Sequence, residues 1–188
     1  MAAGTLHIVL DIETLSTRSN AAITQIGLAD FIEGEDHILS SGSMAIDPSQ
    51  YESRAFREAF DISFDTVMWQ AKLPEHLQPR VGLGGYLSDA LVVMVEHISG
   101  RRFEYENVRV WGNGPHFDAV IIEHAFDFFG MTPPWGYNHL RDVRTACELM
   151  GVKWKDFLDP ATAHDAEADA VAEARGLIQA FQRVQPIQ

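Results

Sequence analysis

Cysteine is all but absent from this chain: Cys147 is the only one among 188 residues. A lone thiol excludes an internal disulfide and a cysteine-built zinc cage, and it fits a reducing compartment. In its apolar, helix-forming surroundings, Cys147 reads as a buried bystander rather than a nucleophile. Basic residues are scarce as well, with 14 Lys and Arg against 27 Asp and Glu, a net charge of −13. Proteins that grip long nucleic acids through their phosphates carry a basic stripe, so this balance excludes a broad electrostatic hold on a duplex. It leaves room for a small pocket in which the chain's own carboxylates hold metal ions. Long apolar runs are missing too. There is no stretch of about 18 apolar residues, and no basic N-terminal region leading into an apolar core. The expectation is a cytosolic protein with no membrane partner. Repeats, low-complexity tracts and linkers are also lacking, so a single domain over residues 1–188 is expected.

What is present begins with LHIVLDIET, residues 6–14. An apolar, β-branched run of this kind is what a central strand covered on both faces looks like. Side chains alternate along a strand, so Asp11 and Glu13 project together from its end. Residues 23–32 and 37–46 read as two more strands, and the three form an antiparallel meander. A helical piece starts at Asp47-Pro48-Ser49, and a short helix over 64–72 is capped by Ser63 or Asp61. Helical periodicity marks 83–98, with Gly100 ending that helix. A strand over 108–111 breaks at Gly112-Asn113-Gly114-Pro115 and is followed by a helix over 117–129. Residues 135–139 form a loop or short edge strand, then helices cover 142–150 and 166–184. Three strands followed by strand–helix alternation give an α/β fold with a mixed sheet and helices on both faces.

Three further groups stand where such a fold gathers charge. Asp118 lies in the first turn of one helix, Asp169 lies near the start of the last, and His164 precedes Asp169 by five residues. Helix starts beside strand ends collect ligands in open α/β sheets, and their dipoles favour carboxylates. Taken singly, Asp118 is an ordinary capping acid, His164 a loop histidine, Asp169 a solvated helix residue, and Asp11 and Glu13 two solvated acids.

Taken together, D-x-E at a strand end, N-x-x-x-F-D opening a helix and H-x-x-x-x-D opening the last helix resemble the DEDDh family of 3′–5′ exonucleases, in the RNase T and oligoribonuclease superfamily. The residues are Asp11 and Glu13, Asn113 through Phe117-Asp118, and His164 through Asp169. The stretches WGNGPHFDAVI and RDVRT, with the Thr66-Val67-Met68-Trp69 helix, are similar to the small phage and actinobacterial exoribonucleases of that family. Asp165 stands four residues before Asp169, where the tyrosine-bearing sister group has tyrosine.

The resemblance implies an RNase H-like fold with a mixed five-stranded sheet, three strands antiparallel and two parallel. It implies a metal-dependent exonuclease that releases nucleoside 5′-monophosphates from the 3′ end of single-stranded RNA, or of RNA overhangs. It also implies that Asp11, Glu13, Asp118 and Asp169 hold two divalent cations, Mg²⁺ or Mn²⁺, and that His164 is the general base. The chemistry suits those residue types: crowded carboxylates need cations, hard oxygen donors suit Mg²⁺ and Mn²⁺, and imidazole titrates near neutral pH. Thr14 and Leu15 are expected at the terminal nucleotide, Leu15 as an apolar wedge. Trp69 offers a stacking face or belongs to the core, Arg144 and Arg141 reach a phosphate or pair with local acids, and Asn113 positions the Asp118 loop or only shapes a turn. The aromatic run Phe126, Phe128 and Phe129 is expected in the core. A homodimer is expected by analogy. Single-stranded DNA as substrate, a non-cutting module that binds ends or proteins, and an internally cutting RNase H-like enzyme are the alternatives.

Overall fold

A computed structural model describes residues 2–114 and 116–184, so Pro115, the end of the expected break, lies outside the described residues. The apolar run predicted as a central strand is β1, Ala2–Thr14. It pairs antiparallel with β2, Ile23–Ile32, and parallel with β4, Tyr105–Gly112. The edge strands are β3, Ser40–Ala45, antiparallel to β2, and β5, Leu140–Asp142, parallel to β4. The sheet order is therefore β3-β2-β1-β4-β5, the mixed five-stranded RNase H-like arrangement.

Alternation along β1 divides the molecule. Leu6, Ile8, Leu10 and Ile12 enter the larger core cluster, with α3 (Leu87–Glu104) and α4 (Asp118–Phe128). Val9 points the other way, into the cluster built with α5 (Val143–Leu149) and α6 (Ala166–Arg183). Full burial of a Leu or Ile contributes about 1.5–3 kcal/mol, so a slip of one residue in β1 is strongly disfavoured. The same parity sends Asp11 and Glu13 to the α6 side.

One expected helix takes different bounds at both ends. The segment predicted as helical from 83 does not turn until Leu87, because Ile46 forms a β-bridge with Gly85 and the Asp47 carboxylate accepts from the Gly82 N–H at 3.1 Å. Nor does Gly100 end α3. Arg101 donates to the buried Asp30 and to Glu104, each at 3.0 Å, and these contacts hold one more turn in place. The edge strand lies just beyond the predicted 135–139. The third strand starts three residues late, where the Leu39 N–H is held by the Asp30 carbonyl. The short helices before α3 are α1, Arg54–Ala59, and α2, Phe64–Gln70. Neither Ser63 nor Asp61 caps α2 with its side chain; Asp61 instead accepts from Ser16 and faces Arg18. Cys147 and Phe126 are buried, and Phe128 and Phe129 pack partly buried against the core.

Candidate active site

A cleft of about 730 Å³ opens where β1 and β4 end and α6 begins. Asp11 and Glu13 arrive on β1, directly across the ladder from Gly27 and Gln25 of β2. Gly27 is what lets α6 come down onto them. A Cβ there would stand 2.6 Å from the Glu167 backbone nitrogen and closer still to the Ala166 carbonyl, so only glycine admits the helix start. Gln25 then fastens it. Its amide donates to Asp165 Oδ2 at 3.1 Å and its carbonyl accepts from the Ala166 N–H at 3.2 Å. Asp165 caps the helix through the Ala168 N–H, and Asp169 follows one turn later.

His164 is carried in a left-handed backbone conformation, φ 73°, which costs a non-glycine residue about 1–2 kcal/mol. Its N–H donates to Asp169 Oδ2 at 3.2 Å, and its ring stands edge-on against Trp69 at 4.7 Å. Glu13, His164 and Asp169 each place one ligand atom within 4.8 Å of the others. Asp118 comes from the opposite side of the sheet end. It opens α4, is almost fully buried, and accepts from the Asn113 N–H at 2.7 Å through Oδ2. Glu173, fully buried, joins this group on α6 and was missed in the sequence; its spacing of four from Asp169, one helical turn, was the available signal.

The electrostatics follow from the crowding. Burial, with Glu173, Asp118, Glu13 and Asp169 close by, raises Asp11 well above the usual carboxylate range. Burial, with Asp169, Asp165 and Asp118 nearby, raises Glu13 to about 8. Burial raises Asp118 to about 6, against the opposing hydrogen bonds of three backbone N–H groups and the charge of Arg144. Asp169 and Glu173 are also raised, chiefly by burial. Such a set either takes up protons or takes up cations. Among the described residues, buried Asp169 Oδ1 has no hydrogen-bond partner, and the carboxylate oxygens of Asp11, Glu13, Asp118 and Asp169 form a donor set that suits a hard divalent ion. These residues fit metal ions.

Among the other sequence candidates, Thr14, Trp69, Asn113, Phe117 and Arg144 all line the cleft. Trp69 is half-exposed, a cleft residue rather than a core one. Arg144 donates to the Asn113 carbonyl at 3.2 Å. Leu15 does not reach the cleft. It is buried among the core residues and borders a separate small cavity with Val67 and Pro79, because the chain turns inward there to bond Ala22 and Ser63. Arg141 is spent on the Asn138 and Leu140 carbonyls. Trp154 and Lys155, not anticipated, form part of the cleft wall.

With that geometry stands the match of a family model, the 3′-5′ exoribonuclease Rv2179c-like domain, to residues 6–182. The chain belongs to this family. Solved structures of nucleases share its fold at low identity. The nuclease domain of 3′hExo, a DEDDh family member bound to rAMP, is 9% identical with TM-score 0.66, over 95% of this chain and 92% of that one. Escherichia coli exonuclease I in complex with a dT13 oligonucleotide is 16% identical with TM-score 0.61, over 95% of this chain but only 42% of that one. Cell-death related nuclease 4 is 12% identical with TM-score 0.57, over 96% of this chain and 65% of that one. The chain thus spans less than half of exonuclease I. No curated protein sequence matches it. Among the described residues, no helix is long and apolar enough to cross a membrane.

Proposed function

We propose that this exonuclease removes nucleoside 5′-monophosphates one at a time from the 3′ end of single-stranded RNA or RNA overhangs, with two bound divalent cations, Mg²⁺ or Mn²⁺. The observation that carries the reading is the convergence of Glu13, His164 and Asp169 within 4.8 Å in an open cleft that Asp11 also lines, with the buried Asp118 close to Asp11. Asp11, Glu13, Asp118 and Asp169 would hold the ions. When bound, such ions neutralise the phosphate, lower the pKa of water and stabilise the leaving oxygen.

The remaining work falls to the chain's own side chains. The His164 imidazole is half-exposed on the cleft wall, with Nδ1 3.8 Å from Glu13 Oε1, where it can take the proton of an attacking water. Its left-handed backbone and the perpendicular Trp69 ring hold the imidazole in that place. Trp69 offers a stacking face to a base; such a stack contributes about 1–3 kcal/mol. Arg144 meets a phosphate from the rim. RNA is favoured by the family's description and by the rAMP bound to 3′hExo. Single-stranded DNA is the second reading, favoured by the oligonucleotide on exonuclease I.

The test is digestion of matched end-labelled RNA and DNA strands with Mn²⁺, with and without chelator, and chromatography of the products. Stepwise shortening of RNA to 5′-monophosphates, abolished by chelator and absent on a circular strand, is expected. Faster loss of DNA moves the assignment to the second reading. Intact strands under all conditions leave a non-cutting module.

A further inference from the structure

We propose that Glu173 is a positioning residue: through Asn113 it holds the Asp118 carboxylate in its working place. The proposal rests on the exonuclease reading above. Glu173 Oε1 accepts from the Asn113 side-chain amide at 2.6 Å. The same Asn113 gives its backbone N–H to Asp118 Oδ2 at 2.7 Å, while its carbonyl takes the Arg144 guanidinium at 3.2 Å. A chain of short contacts therefore runs from α6, through the loop after β4, to the first residue of α4. The two helices pack on opposite faces of the sheet, in different core clusters. Asp169 and Asp118 are thus carried by elements that the core does not join, and the Glu173–Asn113 contact straps them together across the end of β4.

Packing alone does not account for a carboxylate here. Glu173 has no exposed surface, and among the described residues its Oε2 has no hydrogen-bond partner. Burying a carboxyl group with one hydrogen bond is costly whether it is charged or neutral, and an apolar side chain of similar volume would be cheaper. Groups that orient a ligand from behind typically change metal affinity or activity about 10–100-fold when removed.

The strap and a direct ion contact by Glu173 predict different outcomes for one substitution. Glu173→Gln keeps an oxygen that accepts the Asn113 amide, whereas Glu173→Ala removes it. In strand digestion, Glu173→Ala is expected to lower kcat about 10–100-fold with KM within about twofold, and Glu173→Gln to lose no more than about threefold. Mn²⁺ titration of the metal-free variants, followed by electron paramagnetic resonance, is expected to rank them in the same order. Asn113→Asp sets two acids against each other, and adding Glu173→Gln returns one donor and one acceptor in reversed order. The double variant is expected to recover at least tenfold over Asn113→Asp alone. This pair carries the test if Glu173→Ala does not fold. Equal losses for Gln and Ala would show that the charge itself matters, and would overturn the strap. So would wild-type behaviour of Glu173→Ala, or no recovery in the double variant. A wild-type protein inert on every strand would sink the exonuclease reading instead, leaving the Mn²⁺ ranking to judge the strap.

Discussion

Replacing Gly27 by alanine adds one methyl group, and the structure states where it goes. The new Cβ meets the backbone of Ala166 and Glu167, with the Glu167 nitrogen at 2.6 Å, against 3.4–4 Å for ordinary contact. Backbone cannot rotate away as a flexible side chain does, so the start of α6 must lift by at least about 0.8 Å, the gap between those distances. Overpacking of this kind costs about 1–3 kcal/mol, and in a chain of this size 3 kcal/mol lowers Tm by about 6–12 °C. The functional loss is larger than the stability loss. The lifted segment breaks the Gln25 contacts to Asp165 and Ala166 and carries His164 and Asp169 away from Glu13. Misplacement of about 1 Å in a catalytic constellation costs about 10²-fold. Gly27→Ala is therefore expected to fold, to melt several degrees early, and to lose about 10²-fold in kcat on end-labelled strands. Thermal melts and digestion rates measured on one preparation decide it. Wild-type turnover in a folded Gly27→Ala protein would refute the claim that this close approach builds the site.

Other substitutions and conditions probe separate parts of the cleft. Asp118→Ala and Asp11→Ala are each expected to reduce turnover by about 10²–10³-fold or more, as loss of one charge-stabilising group does elsewhere; measured turnover within tenfold of wild type would remove that residue from the site. Trp69→Ala is expected to raise KM about 5–150-fold, the equivalent of one lost base stack of about 1–3 kcal/mol, with Trp69→Phe between the two. The metal-free protein should lose stability as pH rises from about 6.5 to about 8. Glu13 binds its proton up to about 8 in the folded chain but only to 4.5 when unfolded, so the folded state holds the extra proton across this window. Glu13 alone contributes up to about 2 kcal/mol there, at about 1.4 kcal/mol per pH unit. His7 has the opposite sign, since burial lowers it to about 4, but its effect ends near 6.5. Melts in chelator against pH, repeated with Mn²⁺, check this; a flat chelator curve would be inconsistent with the buried acids, and Mn²⁺ should flatten the decline because binding releases those protons.

Much of this was legible in the residues, and the failures have causes. The strand β1 announces itself because burial on both faces demands an unbroken apolar run, and β2, legible from the alternation over 23–32, has the expected ends. The α3 bounds were misread because local periodicity competes with distant contacts. Asp30, far back on β2, holds Arg101 and extends the helix past Gly100. The five acidic and histidine positions were readable as an ordered pattern, but their meeting depends on Gly27, whose importance only the helix packed over it reveals. The family resemblance points Leu15 at the substrate, but the inward turn after Thr14 takes its side chain into the core. Glu173 is hidden by abundance, one of 27 acids in the chain and one of three on α6.

The cluster draws on the tip of β1, the loop after β4 and the start of α6, three places far apart along the polypeptide. Only tertiary structure keeps those places in company, and the weakest dock among them sets how long they stay. Fraying of the first turn of α6 alone would silence the protein while the other helices and the sheet still gave a folded spectrum. Turnover is then a more sensitive thermometer than circular dichroism, and heating should quench it first.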